Sequence, residues 1–188
     1  CVLLALLLVI LSACYSGGEK GQPEKESTPN EIAEKNITRD LTRLTKGLLA
    51  YQIPVNMKVG ESYRGVVSIT RSTADSILFD GLEEGQDDFE KEAIQISSIA
   101  KVRLVDPATP KNFAITPINT PEQYVDTASN TVWKWDIKPL KGGKNQLYLI
   151  ATAKILSPVE GYKDITVFDK NIEVESSLLV SLSMFFTQ

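Results

Sequence analysis

The strongest constraint on the fold of this chain is an alternation of apolar and polar residues that recurs along most of its length. In 131–137, Trp133, Trp135 and Ile137 take one face, and Val132, Lys134 and Asp136 take the other. In 145–156, Leu147, Leu149, Ala151, Ala153 and Ile155 share a face. A period of two belongs to strands, whose successive side chains point to opposite faces of a sheet. Further runs of this kind lie at 47–53 (ending at Pro54), 62–70, 93–105, 112–118 and 165–175, separated by Gly, Pro, Asn and Asp clusters. No amphipathic helices alternate with them, which disfavours a parallel sheet. The expected fold is therefore mainly β, an antiparallel β-sandwich over 47–188. The segment 139–144, with Gly142 and Gly143, reads as a hairpin turn that would make the two best strands adjacent. The Trp133–Trp135 pair then belongs to the core, stacked on the Leu/Ala face, and not to a ligand platform.

The chain start obeys a different rule. Residues 1–11 are apolar without a break and polar residues follow soon after. About 20 apolar residues are needed to span a bilayer, so this run is too short and suits the apolar region of a signal peptide. There is no initiator Met and no basic segment ahead of it, and the expectation is that a few residues are missing from the start. Leu11-Ser12-Ala13-Cys14 resembles the lipobox of bacterial lipoproteins. That resemblance implies diacylglycerol transfer to the Cys14 thiol, cleavage between Ala13 and Cys14, and N-acylation with palmitate-class chains. Cys1 would leave with the signal peptide and lipidation would use Cys14, so the mature chain would hold neither disulfide nor free thiol. Its core alone would have to hold the domain.

Residues 14–30 then form the lipidated Cys and a tether, rich in Gly, Pro, Ser, Glu and Lys with one large apolar residue, Tyr15. Such a segment cannot offset its ordering entropy by burial and is expected to be disordered. Residues 31–46 carry helical spacing, with Asn30 as a cap and Ile37, Leu41, Leu44 and Leu48 recurring at four, three and four residues. A partner-binding or dimerising helix is one reading; a short helix packed on its own domain is preferred.

The chain has 188 residues, a net charge of −4 and no histidine. These values exclude a His-based triad or imidazole metal site and disfavour general nucleic-acid binding. The acidic residues concentrate in 72–92, where Asp80, Glu84, Asp87 and Asp88 are the weak candidates for a metal. The ladder of an EF-hand is missing, so a solvated loop or short helix crossing between sheets is preferred and no metal is expected. Ser98 and Lys101 match Ser-x-x-Lys, but Ser98 is placed here in an alternating strand and not at a helix start, and Ser-Asp-Asn is absent. No catalytic residue and no cofactor are expected. A carboxylate-based hydrolase is kept as the least favoured class.

The stretch 133–144, with Leu147, Leu149, Ile172, Glu173 and Val174, is similar to the Ig-like β-sandwich ectodomain of certain bacterial membrane-associated proteins. It implies an Ig-like module without catalytic residues. In such proteins a membrane segment can follow the module. Here Leu178, Val180, Leu182, Met184 and Phe186 alternate over a run too short to span, which is either a last strand or a linker in a chain truncated at its end. The functional expectation is a non-enzymatic, lipid-anchored β-sandwich of the bacterial envelope that binds another envelope protein as an assembly, sensor or accessory subunit. The alternative is an envelope small-ligand or glycan binder, with Tyr51, Tyr124 and Tyr162 as candidates. Tyr15 is not the Asp that marks inner-membrane retention, so by analogy the outer membrane is expected in a Gram-negative cell.

Overall fold

A computed structural model describes residues 28, 38, 41–82, 88–157 and 161–178. The chain divides into two units, Cys1–Lys35 and Asn36–Gln188. The signal peptide, Cys14 and most of the tether lie outside the described residues, as do Glu84, Asp87 and the tail 179–188. So does most of the expected helix 31–46; Thr38 and Leu41 have helical backbone, and Thr42 N–H donates to Thr38 O at 3.2 Å.

The second unit is mainly β. Its described residues form β1 (Thr45–Gln52), β2 (Asn56–Lys58), β3 (Tyr63–Thr70), α1 (Asp75–Leu78), β4 (Glu90–Ile96), β5 (Ile99–Val105), β6 (Phe113–Pro117), β7 (Glu122–Tyr124), β8 (Thr131–Pro139), β9 (Gly143–Ser157) and β10 (Gly161–Ser177). The first sheet has the order β4-β1-β3-β8-β6 and the second β2-β10-β9-β5-β7. Every pair is antiparallel except β2 with β10. Register places the starts of β1, β5, β8 and β10 at one pole, called the entry pole because β1 begins there.

The sheets bury their apolar faces against each other. Leu49, Val67, Ile69, Trp133, Trp135 and Ile137 from the first sheet share one core with Val102, Leu147, Leu149, Ala151, Ala153 and Val174 from the second. Trp133 is 1% exposed and its Nε1–H donates to Pro121 O at 2.8 Å, satisfying its polar atom inside the core. The tryptophans are thus core residues, facing the Leu/Ala strand.

The route between them differs from the sequence expectation. β8 and β9 are not hairpin partners; they belong to different sheets, and 140–142 carries the chain across the sandwich. Gly143 takes φ 101°, a conformation open to glycine, as the chain enters β9. The run 93–105 is likewise two strands. The chain leaves the first sheet after Ile96 and enters the second at Ile99. Buried Ser97 pins this crossing, its Oγ lying 2.7 Å from both Ile99 O and Lys154 O, so that its single O–H can donate to either. Ser98 therefore sits at a bend between strands and not within a strand.

The segment after β3 does not cross between sheets. β3 and β4 lie in the same sheet on either side of β1, and the connection carries α1 over the sheet's outer face. Leu78 is fully buried there, and Ser68 Oγ donates to Leu78 O at 2.6 Å. Asn130 Nδ2 reaches Leu78 O at 2.9 Å and Asp80 O at 3.0 Å. This cover explains why β3 is buried on both faces from Gly65 to Thr70.

One buried carboxylate fixes the β5–β6 loop. Asp106 is 4% exposed and accepts from the N–H groups of Ala108 (2.9 Å), Asn112 (2.6 Å) and Phe113 (2.9 Å). Charge-assisted bonds of this kind are worth about 1.5–3 kcal/mol each, and a donor left unpaired in the interior is costly. Asp106→Ala is expected to destabilise the domain by about 3 kcal/mol, read as a lower urea midpoint with an unchanged slope.

Candidate functional site

One concavity follows from the sheet edges. β4 pairs only with β1, and β10 pairs with β2 only over Glu175–Ser177. Among the described residues, the outer edge of β4 and, before Glu175, the edge of β10 that faces away from β9 therefore have no strand partner. Unpaired backbone donors and acceptors on an edge strand are a template for another strand. Between these edges at the entry pole lies a groove of about 570 Å³. Leu41, Leu44, Leu48, Ile94, Ile165 and Val167 give it an apolar lining, with Gln95 and Thr166 at the rim.

A bulge shapes one wall. β10 pairs Thr166 with Thr152 and Phe168 with Ala151, leaving Val167 as an extra residue. The extra residue reverses the parity of the strand. Ile165 points inward before it, and Phe168, Lys170, Ile172 and Val174 point inward after it. Two contacts across the sandwich depend on this reversal. Phe168 meets the Tyr51 ring with centroids 5.7 Å apart, and Lys170 Nζ lies 3.5 Å from Glu90 Oε2 on β4. The Tyr51 hydroxyl donates to the same Glu90 oxygen. Tyr51, Glu90, Phe168 and Lys170 thus close the side of the sandwich below the groove.

Tyr51 is consequently a core residue, 3% exposed, and does not join the other two tyrosines. Burial, and then the hydrogen bond to the Glu90 carboxylate, push its phenol above the ordinary value of 10.0. Tyr124 and Tyr162 are 64% and 65% exposed, and register brings them to one face. Tyr124 lies opposite Ile99, Ile99 opposite Lys154, and Tyr162 opposite Leu156, so all five residues share the outer face of the second sheet at the entry pole. Lys154 Nζ lies 5.8 Å from the Tyr162 ring centre and 2.5 Å from Glu122 Oε2. The hydrogen bond to Glu122 holds the Lys154 ammonium above its ordinary value.

The remaining candidates do not converge. Asp80 follows α1 and Asp88 precedes β4, while Glu84 and Asp87 lie outside the described residues. Among the described residues, no group of three or more Cys, Asp or Glu side chains is placed to hold a metal. Lys101 pairs with Glu122 and Thr152 within the second sheet, away from any helix start. Among the described residues, the groove lining includes Lys46 but no carboxylate and no thiol. Ala13 and Cys14 are outside the described residues. Among the described residues no helix is long and apolar enough to cross a membrane. The groove itself escaped the sequence reading, because β4 and β10 are remote in sequence and only the sheet order sets them side by side.

No protein-family model matches the chain, and no curated protein matches it. Among solved structures, it is similar to the ASH / PapD-like domain of human CEP192 (PapD-like domain 7), at 8% identity and a TM-score of 0.39, over 70% of this chain and 85% of that one.

The raised phenol has a stability consequence with a definite sign. A group whose folded-state pKa lies above its unfolded value gives stability that is complete below the unfolded value and is lost as pH rises through the folded one. Stability is therefore expected to hold up to about pH 10 and to fall above it as unfolded Tyr51 ionises. Tyr51→Phe should flatten that part of the alkaline decline, measured by urea unfolding at stepped pH.

Proposed function

We propose that this chain is a lipid-anchored protein of the bacterial envelope whose β-sandwich, without catalysis of its own, binds another envelope protein at the groove between β4 and β10. The carrying observation is the pair of unpaired strand edges flanking an apolar groove. An extended segment of a partner there would gain main-chain hydrogen bonds from an edge and bury alternate side chains in the groove. The lipobox-like Leu11-Ser12-Ala13-Cys14 and the tether after it support the anchored half of the reading. The non-catalytic half rests on the sequence, in which no catalytic motif was found. By the analogy at Tyr15, the site of action in a Gram-negative cell is the outer membrane.

A second reading, an envelope glycan binder, draws on exposed Tyr124 and Tyr162 on one sheet face. It has less support, since Tyr51 is in the core and Lys154 lies beside the Tyr162 ring.

Photo-crosslinking residues at Gln95 and Thr166, both exposed groove-rim positions, test the first reading in intact cells. One envelope protein should be captured from both positions and not from Lys138, on β8 and away from the groove. Cys14→Ser should release the chain from the membrane and abolish the capture. Ala93→Glu with Thr166→Glu should also abolish it while changing stability by less than about 0.5 kcal/mol, because both sites are exposed. Absence of an adduct from either groove position would sink the reading.

A further inference from the structure

We propose that the outer face of the second sheet at the entry pole rests on the surface of the membrane that carries the anchor, so that the domain is held against lipid in one orientation. The inference relies on the anchored reading of Cys14 for its geometry. It stands separately on the placement of the exposed apolar side chains.

Tyr124, Leu156 and Tyr162 are 64%, 55% and 65% exposed. They come from three different strands; Leu156 and Tyr162 face each other across the β9–β10 hairpin, and register brings the remote Tyr124 to the same end of the same face. Ile99 lies between Tyr124 and Lys154 in the same cross-strand row, and Leu156 is paired with Tyr162. The result is a surface of two tyrosines, a leucine and an isoleucine, crossed by Lys154 and its opposite neighbour Asp164, with Lys101 and Glu122 in the row beyond. Tyrosine suits a water–hydrocarbon boundary, since its ring enters the apolar side while its hydroxyl stays hydrated. Lysine suits it as well, with an apolar stem and a charged tip.

The occupant is argued from where the chain arrives. Thr45 begins β1 at this pole, and exposed Leu41 precedes it. Between Cys14 and Leu41 lie 26 residues, 15–40; if the tether expected from the composition of 15–30 is flexible, that part alone would reach about 22 Å. A short flexible link raises the effective concentration of the tethered face at its surface to about the millimolar range. A contact too weak to recruit a free domain then suffices to orient an anchored one. Of the other exposed apolar side chains, Val55, Leu140 and Leu178 lie at the opposite pole, and Ile118 lies on the first sheet, its N–H bonded to Lys134 O of β8. The 17 residues of β10 separate the two poles by about 55 Å. Lys154 is already paired with Glu122, so the contact is chiefly apolar and should resist salt.

The test uses the full lipidated chain, reconstituted in vesicles of phosphatidylethanolamine and phosphatidylglycerol with brominated acyl chains. Tyr162→Trp and Tyr124→Trp place reporters on the proposed face, and Val55→Trp places one at the far pole. Trp133 and Trp135 are buried and give a common background. The expected result is loss of the added emission at positions 162 and 124, none at 55, and no change at high salt. Vesicle-bound protein with no loss at 162 and 124 would overturn the proposal and leave the face to the glycan reading. Equal loss at all three positions would overturn it too, since the domain would then have no preferred orientation. Protein that fails to float with the vesicles would refute the anchor and, with it, the geometry proposed here; flotation therefore separates that failure from failure of the face alone.

Discussion

The packing of one apolar sheet face on the other is the interaction on which the rest of this domain depends. The only cysteines are Cys1 and Cys14, both outside the described fold, so no disulfide supports the sandwich. Its cohesion comes from apolar area removed from water and from dense contact between the layers. Large side chains on the first sheet, Trp133, Trp135 and Ile137, share the core with small ones on the second, Ala100, Ala151 and Ala153. Both layers are required, because a single sheet would leave a full apolar face in water. The polar devices serve this packing at its margins. Asp106 organises a loop, Ser97 a crossing, and Asn130 the cover over β3. Each satisfies backbone groups where the chain leaves a ladder and would otherwise bury them unpaired.

The groove is a by-product of how that packing ends at its lateral edge. A sandwich of open sheets must finish somewhere, and here it finishes at β4 and β10. The bulge at Val167 decides how much of the edge is closed. By reversing parity, it turns Phe168 and Lys170 inward to meet Tyr51 and Glu90, and the core is sealed at that level. The exposed Lys170–Glu90 pair contributes little by itself; Tyr51, buried and hydrogen-bonded to Glu90, is the firmer part of the seal. Nearer the entry pole no such pair joins Ile94 and Ile165, and the groove opens between them.

Much of this was legible in the sequence, and the errors have one physical origin. Alternation tells which side chains face inward, but both sheets face the same interior. A strand that leaves one sheet and enters the other keeps its parity. Ile94 and Ile96 point into the core from the first sheet, and Ala100, Val102 and Leu104 point into it from the second, all at even positions. The run 93–105 therefore read as one strand. The same degeneracy hid the passage from β8 to β9. Their inward residues do face each other, as expected, but across the core and not side by side in one sheet. Tyr51 was legible as an inward residue from its neighbours Leu49 and Ile53, yet its aromatic ring also drew it into the set of candidate ligand contacts. The convergence of Tyr124 with Tyr162 could not be read, since it depends on the order β10-β9-β5-β7.

The two surfaces proposed for contact answer different physical demands. A groove with unpaired strand edges offers directional hydrogen bonds and register, which discriminate among partners. A flat patch of Tyr, Leu and Ile offers area without direction, which suits a fluid surface better than a specific ligand. The groove and the patch both lie toward the entry pole, the groove between β4 and β10 and the patch on the outer face of the second sheet. With that face against lipid, the groove would open sideways just above the membrane. A partner anchored in the same membrane would then meet it within a thin layer and not in a free volume, and the ordering cost of association would be shared with the anchor. Shallow apolar contacts are weak for a freely diffusing protein because translational and rotational freedom must be given up in full. For two proteins already confined to one surface, part of that cost has been met before they touch.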